Sequence, residues 1–387
     1  MISPMDFRAA LDEADIRFIT GVPDSLLKDV CACISSCYPA ERHIIAANEG
    51  GAIGLAIGHY LATARPALVY MQNSGLGNVV NPIASLADPQ VYGIPMLLMV
   101  GWRGEIKADG TQLHDEPQHV KQGQMTVNQL DILGIPYRVI DENTQDIAVI
   151  MKELIELTLE RSGPVALLVR KQTFSTYKLN IQRDDSHLLT REAAIKLLIH
   201  ALPENTPVVS TTGMASRELF EHRKATTKAY DHDFLTVGGM GHASQIATGI
   251  ALAQPHHKVV CIDGDGAMLM HMGGLAISGK QANLIHIVIN NGAHDSVGGQ
   301  PTLAENLNLA QIAADCGYGY IVQATTEQEV LQHISLAVKS KSSAFVEIKC
   351  RCGARADLGR PDRTPLVNKT DFMKFLKGVT KNSTERI

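Results

Sequence analysis

The sequence has 387 residues, enough for two or three domains at roughly 100–200 residues each. With 45% hydrophobic and 19% charged residues it can bury a sizeable core, which excludes a disordered chain. Lys+Arg 35 against Asp+Glu 40 leaves a net charge of −5 with no basic block, which argues against nucleic acid or an anionic membrane as the main partner. No apolar run approaches the ~20 residues of a bilayer span. Asp6, Asp12 and Glu13 stand where a signal peptide would be basic and then apolar, so a cytoplasmic protein is expected.

Short β-branched runs alternate with amphipathic stretches from end to end. The first half predicts strand Ile16–Thr20, helix Asp24–Cys37, strand His43–Ala46, helix Glu49–Ala64, strand Ala67–Met71, helix Val79–Leu86 and strand Pro95–Val100. A long loop, Gly101 to Gly123, follows. Then come helix Gln124–Leu133, strand Tyr137–Ile140, helix Gln145–Glu160 and strand Val165–Val169. Fully apolar strands in a βα alternation imply a parallel sheet covered on both faces, which binds ligands beyond the carboxyl ends of its strands.

Residues 172–189 are polar and aperiodic and are taken as a linker between a first domain, 1–171, and a second, 190–370. Residues 371–387 are expected to be a tail. The second half predicts helix Thr190–Leu202, strand Val208–Ser210, helix Ala215–Arg223, strand Phe234–Val237, helix His242–Ala253 and strand Val259–Ile262. Helix Met268–Ser278, strand Leu284–Ile289, helix Leu309–Cys316, strand Tyr320–Val322, helix Glu327–Val338 and strand Ala344–Ile348 complete it. The fold class is therefore α/β, with two doubly wound parallel-sheet domains.

The sharpest motif is Asp263-Gly264-Asp265-Gly266-Ala267, directly after an apolar strand, followed one helix–strand unit later by Asn290-Asn291-Gly292-Ala293. A parallel sheet brings Asp265 and Asn291 to the same carboxyl edge. A carboxylate and an amide oxygen there suit a hard cation such as Mg²⁺. Gly264 and Gly266 permit close backbone approach, and a helix starting near Ala267 offers free N–H groups to an anion. Taken singly, each element reads better as a capped tight turn; both together, in this order and spacing, describe a seat for a metal-bridged diphosphate.

These motifs resemble the cofactor signature of thiamine diphosphate enzymes. The resemblance implies that Asp265, Asn291 and the carbonyl of Ala293 hold Mg²⁺, and that Gly266 and Ala267 give amides to the diphosphate. It also asks for a glutamate against the aminopyrimidine ring, for which Glu49, in Ala46-Ala47-Asn48-Glu49-Gly50-Gly51, is the candidate. A buried carboxylate at that place needs a partner; the alternative is a solvent-facing helix-N-terminal Glu. A wedge under the bent cofactor falls to Met240 in Gly238-Gly239-Met240-Gly241, with the Gly238 carbonyl accepting from the amino group; otherwise this is a plain glycine turn. Glu49 and Asp265 lie in different halves, as the family requires. Its members pair site halves from different subunits, so self-association into a dimer or larger assembly is implied.

The short linker leaves no room for a third domain, so the chain resembles the compact two-domain 2-oxo acid decarboxylases. Gly21-Val22-Pro23-Asp24-Ser25, Asp115-Glu116-Pro117-Gln118-His119 and Asn290 through Thr302 carry a likeness to the phosphonopyruvate decarboxylase group, with the sulfopyruvate decarboxylases near relatives. The implied substrate is a 2-oxo acid with a doubly anionic tail. Ser25, Asn73, Ser74, Arg103, Lys107, His114, His119 and Lys121 are candidates to bind it, though each charge taken alone reads as a solvated one. The 101–123 loop is expected to close as a lid. His294 and then His119 are acid/base candidates without assigned roles.

Seven cysteines, with spacers of one, three and one residue in Cys31, Cys33, Cys37 and Cys350, Cys352, lack zinc-site spacing and are expected to be reduced thiols. A phosphatase-like Asp-x-Asp reading of Asp263 and Asp265 has no use for Glu49 or Met240, and the glycines at 238–241 do not space a dinucleotide fingerprint. An idle homologue would have lost Glu49 or Asp265. Another thiamine reaction, carboligation, stays open on sequence alone.

Overall fold

The computed structural model describes residues 1–107, 109–181, 183–226 and 229–384. The chain divides into two compact units, Met1–Ile181 with Ser296–Pro301, and Gln182–Asp295 with Thr302–Ile387. In the first unit the elements are α1 (Pro4–Glu13), β1 (Ile19–Gly21), α2 (Lys28–Cys37), β2 (His43–Ile45), α3 (Glu49–Thr63), β3 (Ala67–Gln72), α4 (Leu76–Pro82), β4 (Met96–Gly101), α5 (Pro117–Ile132), β5 (Tyr137–Ile140), α6 (Ile147–Arg161) and β6 (Val165–Val169). The second contains β7 (Leu189–Thr190), α7 (Arg191–Ala201), β8 (Val208–Ser210), α8 (Met214–Ala225), β9 (Asp233–Leu235), α9 (Ala243–Ala253), β10 (Val259–Gly264), α10 (Asp265–Met270), α11 (Leu275–Ser278), β11 (Leu284–Asn290), α12 (Leu309–Asp315), β12 (Tyr320–Ala324), α13 (Glu327–Lys339), β13 (Ala344–Arg351) and α14 (Pro365–Thr384).

Each unit is a parallel sheet with helices on both faces, as the uninterrupted apolar strands require. The orders are β2-β1-β3-β4-β6-β5 and β9-β8-β10-β11-β13-β12, with the short β7 added beside β13. Numbered from its own first main strand, the second sheet repeats the order of the first. β4 and β6 are buried at every position, and so is β11. In the first unit one face packs Phe7, Leu11, Ile34, Leu97 and Leu167, and the other packs Ile53, Val69, Leu98 and Trp102. Burying each such side chain fully stabilises the fold by about 1.5–3 kcal/mol before entropy is counted.

Five departures from the sequence reading have local causes. No element is expected before Ile16, yet α1 forms because Ser3 caps it, Pro4 fits its first turn, and Phe7, Ala10 and Leu11 share one buried face. α5 starts at Pro117, well before the expected Gln124, again on a proline suited to a first turn. The expected helix Met268–Ser278 is broken between α10 and α11, where His271 leaves the helical region with φ −131° and ψ 45°. A Cβ at Gly274 would sit 2.5 Å from Nε2 of Gln245 in α9, so a larger residue there would push that side-chain end aside.

The expected linker begins later than residue 172. Thr173 and Phe174 are buried, Phe174 packs edge-on to Phe7 with ring centroids 5.3 Å apart, and the Ser175 amide donates to the Ile2 carbonyl at 2.9 Å. The units part between Ile181 and Gln182. Most of the expected tail belongs to α14, docked where Asn368 accepts from the Leu235 amide at 3.1 Å and donates to the Asp233 carbonyl at 2.8 Å. Residues 385–387 lie outside the described ones.

Candidate active site

In a sheet of this order the topological switch lies between the first and third strands, and the crevice at their carboxyl ends is where ligands bind. In the first unit β1 leads into Asp24 and Ser25, β3 into Asn73 and Ser74, and β4 into Arg103. Asp24 is fully buried. Gln72 Nε2 donates to its Oδ1 at 2.5 Å and the Leu26 amide to its Oδ2 at 3.0 Å, while burial raises its pKa. Arg103 grips Asp115 with two donors, Nε to Oδ2 at 2.8 Å and Nη2 to Oδ1 at 2.6 Å, and its Nη1 donates to Ser25 Oγ at 2.9 Å. Burial alone would raise the Asp115 carboxyl; the hydrogen bonds and charge of Arg103 outweigh it and bring it down to about 2.

Three of the expected tail-binding residues therefore meet, but in different roles. Ser25 and Arg103 present polar side chains. Asn73 is committed to structure: its amide donates to Thr126 Oγ1 and to the Arg103 carbonyl, both at 2.9 Å, and its Oδ1 accepts from the Arg103 amide at 3.2 Å. Ser74 is exposed and donates to Gln72 Oε1 at 2.9 Å. His114 is exposed, and Lys107 and Lys121 are exposed as well. His119 lies in the first turn of α5, where its charge acts on Asp115.

The expected lid is pinned rather than open. Trp102 Nε1 donates to the Gly123 carbonyl at 3.1 Å, Gln112 Nε2 to the carbonyls of Gly104 and Val120 at 2.8 and 2.7 Å, and Ile106 bridges Gln112. The loop expected over residues 101–123 shortens accordingly, since α5 takes its last third.

Glu49 opens α3, which Asn48 caps by accepting from the Gly51 amide at 2.8 Å. The carboxyl is buried, 6% exposed, and Asn78 Nδ2 of α4 donates to its Oε2 at 2.7 Å. A Cβ at Gly75 would lie 2.7 Å from Glu49 Cγ and Oε1. The glycine is what admits this carboxylate. The solvent-facing alternative for Glu49 is therefore excluded, and Asn78 is the partner that burial demands.

In the second unit β10 ends in Gly264 and α10 begins at Asp265, two residues before the expected start. α10 has only six residues, so the recognition of an anion there rests on individual amides more than on a macrodipole. Asp265 is 3% exposed. Its Oδ2 accepts from Thr302 Oγ1, and burial still lifts its carboxyl to about 6. A buried carboxylate so short of positive charge suits a cation. Asn291 follows β11, buried, with its Oδ1 accepting from the Ala293 amide at 3.2 Å. Ala293 is buried beside it. The oxygen-only donor set of Asp265, Asn291 and the Ala293 carbonyl fits Mg²⁺.

The turn carrying Met240 lies beside α10. Gly238, Gly239 and Gly241 have φ of 74°, 58° and 84°, which explains the glycines. Thr212 Oγ1 accepts from the Gly238 amide at 2.9 Å, and a Cβ at Gly241 would come 3.0 Å from the Ala267 carbonyl. Gly241, next to the half-buried Met240, is thereby held close to α10. His294 covers Gly266, its Cε1 only 3.1 Å from where a Cβ would be. The residue as a whole keeps intermediate exposure, but burial of its ring lowers its pKa to about 4.

Comparison with known proteins decides the family. The profile described as "Thiamine pyrophosphate enzyme, N-terminal TPP binding domain" matches residues 6–132, and "Thiamine pyrophosphate enzyme, C-terminal TPP binding domain" matches 211–348. A phosphonopyruvate decarboxylase of Streptomyces viridochromogenes is 33% identical over 393 residues, covering 97% of this chain and 95% of its own. This chain belongs to the thiamine diphosphate-dependent 2-oxo acid decarboxylases. A phosphonopyruvate decarboxylase of Streptomyces hygroscopicus is 31% identical, covering 97% of this chain and 94% of its own. A sulfopyruvate decarboxylase of Methanosarcina acetivorans is 25% identical, covering 89% and 90%. As a decarboxylase the protein is a carbon–carbon lyase and uses thiamine diphosphate, so the phosphatase-like and idle readings fall away. Among the described residues no helix is long and apolar enough to cross a membrane.

Sequence reasoning missed several residues that hold the candidate site residues within each unit. Thr302 holds Asp265, Asn78 holds Glu49, and Arg183, expected in a linker, donates to the Asn291 and Gly292 carbonyls at 3.1 and 3.2 Å. Arg191 bridges Glu218, at 2.8 and 3.0 Å, and Asp295, at 2.8 Å. Each of these partners is remote in sequence, and only the run Asn290–Thr302 hinted at one of them.

Proposed function

We propose that the protein decarboxylates phosphonopyruvate to phosphonoacetaldehyde and CO₂, with thiamine diphosphate and Mg²⁺. The observation that carries this reading is the likeness to phosphonopyruvate decarboxylases along 97% of the chain. Asp265, Asn291 and the Ala293 carbonyl would hold Mg²⁺, and Gly264, Gly266 and Ala267 would form the backbone cradle for the diphosphate. Glu49 would hold the aminopyrimidine ring through a ring nitrogen, Met240 would support the cofactor, and the Gly238 carbonyl would accept from its amino group. When bound, the cofactor supplies an electron sink for the pair released as CO₂ leaves.

The rest is done by the chain. Ser25 and the Nη1 edge of Arg103 bind the anionic tail; Asp115 fixes the guanidinium so that its remaining N–H groups point one way. Asn73 positions the Arg103 backbone, and Ser74 and His114 remain outer candidates. We keep His294 and then His119 as the candidates to carry a proton in the reaction. We assign the first domain to the pyrimidine half and the second to the diphosphate half, with the halves of one site drawn from two subunits. Among the described residues α3 leaves Gly54, Leu55, Gly58 and Leu61 exposed, an apolar stripe that a second copy of the chain would cover. Seven free cysteines suit a reducing compartment, and we place the protein in the cytoplasm.

The test is CO₂ release from phosphonopyruvate, sulfopyruvate and pyruvate in parallel, with and without thiamine diphosphate and Mg²⁺. The reading expects fastest release from phosphonopyruvate and none after both are stripped. Faster release from sulfopyruvate transfers the substrate assignment to the group of the Methanosarcina relative. Product analysis with pyruvate alone separates decarboxylation from carboligation.

A further inference from the structure

Two of the proposed metal ligands stand on either side of one glycine. The Asn291 side chain comes before Gly292 and the Ala293 carbonyl after it. Gly292 has φ of 62°, a left-handed conformation that favours glycine, the most permissive joint a chain has. The two soft dihedrals of this residue set how the ligand before it and the ligand after it face each other. A small cation that demands near-octahedral geometry needs such a joint fixed.

Arg183 grips it from outside. Its Nη1 donates to the Asn291 carbonyl at 3.1 Å and its Nη2 to the Gly292 carbonyl at 3.2 Å. Those carbonyls belong to the two peptide planes that flank Gly292, so one planar guanidinium holds both planes and, with them, both dihedrals of the joint. Other bonds act on the same stretch. Cys352 Sγ donates to the Asn291 carbonyl at 3.1 Å, and the Gly292 amide donates to Asn290 Oδ1 at 3.0 Å. The Thr302 amide donates to the Gly292 carbonyl at 3.0 Å, while its Oγ1 donates to Asp265, the third proposed ligand side chain or carbonyl of the seat. All of these residues lie in the second unit. Neither its ion pair nor its charge explains the placement of Arg183. The pair with Glu305, Nη1 to Oε1 at 3.0 Å, has a carboxylate 56% exposed and adds little. By charge, a guanidinium bonded to a turn that seats a cation weakens the cation's hold. Geometry is what it contributes.

We propose that Arg183 is a positioning residue for the metal: it locks the Gly292 joint so that the Asn291 side chain and the Ala293 carbonyl are presented together to Mg²⁺. This deepens the functional reading and rests on its assignment of the metal seat to Asp265, Asn291 and Ala293. The first residues of the second unit thereby become part of the support of its metal turn.

The test is calorimetric titration of thiamine diphosphate into the full-length protein over a series of Mg²⁺ concentrations, read as the Mg²⁺ concentration for half-maximal cofactor binding. Arg183→Met should raise it about 10- to 100-fold, the usual cost of losing a group that orients a metal ligand. Arg183→Lys keeps the charge without the planar fork and should raise it nearly as much. Glu305→Gln, which removes only the exposed ion pair, should stay within about threefold of wild type. With Ca²⁺, whose flexible shell tolerates a loosened turn, Arg183→Met should also stay within about threefold. A lower Mg²⁺ requirement in Arg183→Met would show that the side chain acts through its charge. Full recovery in Arg183→Lys would show that the fork is not needed, and equal losses for the two ions would show general damage to the turn. Each of these overturns the proposal. Asp265→Ala separates the two layers of argument. If it leaves the Mg²⁺ requirement unchanged, the metal seat is misassigned and this inference goes with it. If it abolishes Mg²⁺-dependent binding while Arg183→Met behaves as wild type, this inference alone fails.

Discussion

The two sheets share one strand order but treat their equivalent crevices differently. After the third and fourth strands the first unit places Asn73 and Arg103, and the second places Asp265 and Asn291. In the first unit the polar groups satisfy one another: Asn73 with Thr126 and the Arg103 backbone, Arg103 with Asp115 and Ser25, Asp24 with Gln72. In the second, Asp265 has Thr302 for its carboxylate and its pKa still rises to about 6. One crevice is preorganised by its own hydrogen bonds, and the other is built short of a cation. The turns after the second strands are equivalent too. Glu49 follows β2 and the Met240 turn follows β9, so the two proposed pyrimidine contacts occupy the same topological address in the two units. A single architecture used twice can thus divide the work of holding one coenzyme.

The sharpest way to break this comparison is to disable one address at a time. Glu49→Gln should lower kcat by about 10²–10⁴-fold, the scale of a lost proton-transfer group, with a melting temperature close to wild type; near-normal turnover removes Glu49 from its role. Asp265→Ala should abolish Mg²⁺-dependent binding of thiamine diphosphate in calorimetry, whereas unchanged affinity would displace the metal seat. Gly75→Ala comes next. Its Cβ has no room beside Glu49 Cγ and Oε1, so turnover should fall about tenfold or more while the chain stays folded.

Smaller effects sharpen the contrast between a self-satisfied and a cation-seeking crevice. Asp115 is held at about 2, below the ordinary value of 3.8. A lowered carboxyl contributes stability that is present above the unfolded pKa and lost as pH falls through the folded one. The melting temperature should therefore drop between about pH 4 and pH 2, and Asp115→Asn should flatten that part of the curve; an unchanged slope would mean the Arg103 pair contributes nothing. Thr326→Ala, which breaks the capping box with Glu329 at the start of α13, should cost about 1 kcal/mol of stability by urea titration and leave turnover alone.

Much of the fold was legible because burial wrote it into the sequence. Runs such as Leu97-Leu98-Met99-Val100 have no polar face to expose, and β5, β6 and β8 fall where the periodicity puts them. The helices at the two ends were not legible. The apolar stripe of α1 is only Phe7, Ala10 and Leu11, and α14 buries Asn368 and Phe372 while leaving Leu366, Val367 and Met373 exposed, so its apolar residues do not mark the docked face. Asp265 and Asn291 were readable because their roles need fixed neighbours along the chain. Asn78, Thr302 and Arg183 were not, because each acts on a residue far away in sequence.

Complementation tests the central claim most directly. Coexpressed Glu49→Gln and Asp265→Ala chains, each inactive alone, should form mixed dimers in which one of the two sites is intact. With random pairing the recovered rate should approach about a quarter of wild type. No recovery from mixed dimers shown to have formed would contradict an account in which opposite halves of two chains grip one coenzyme.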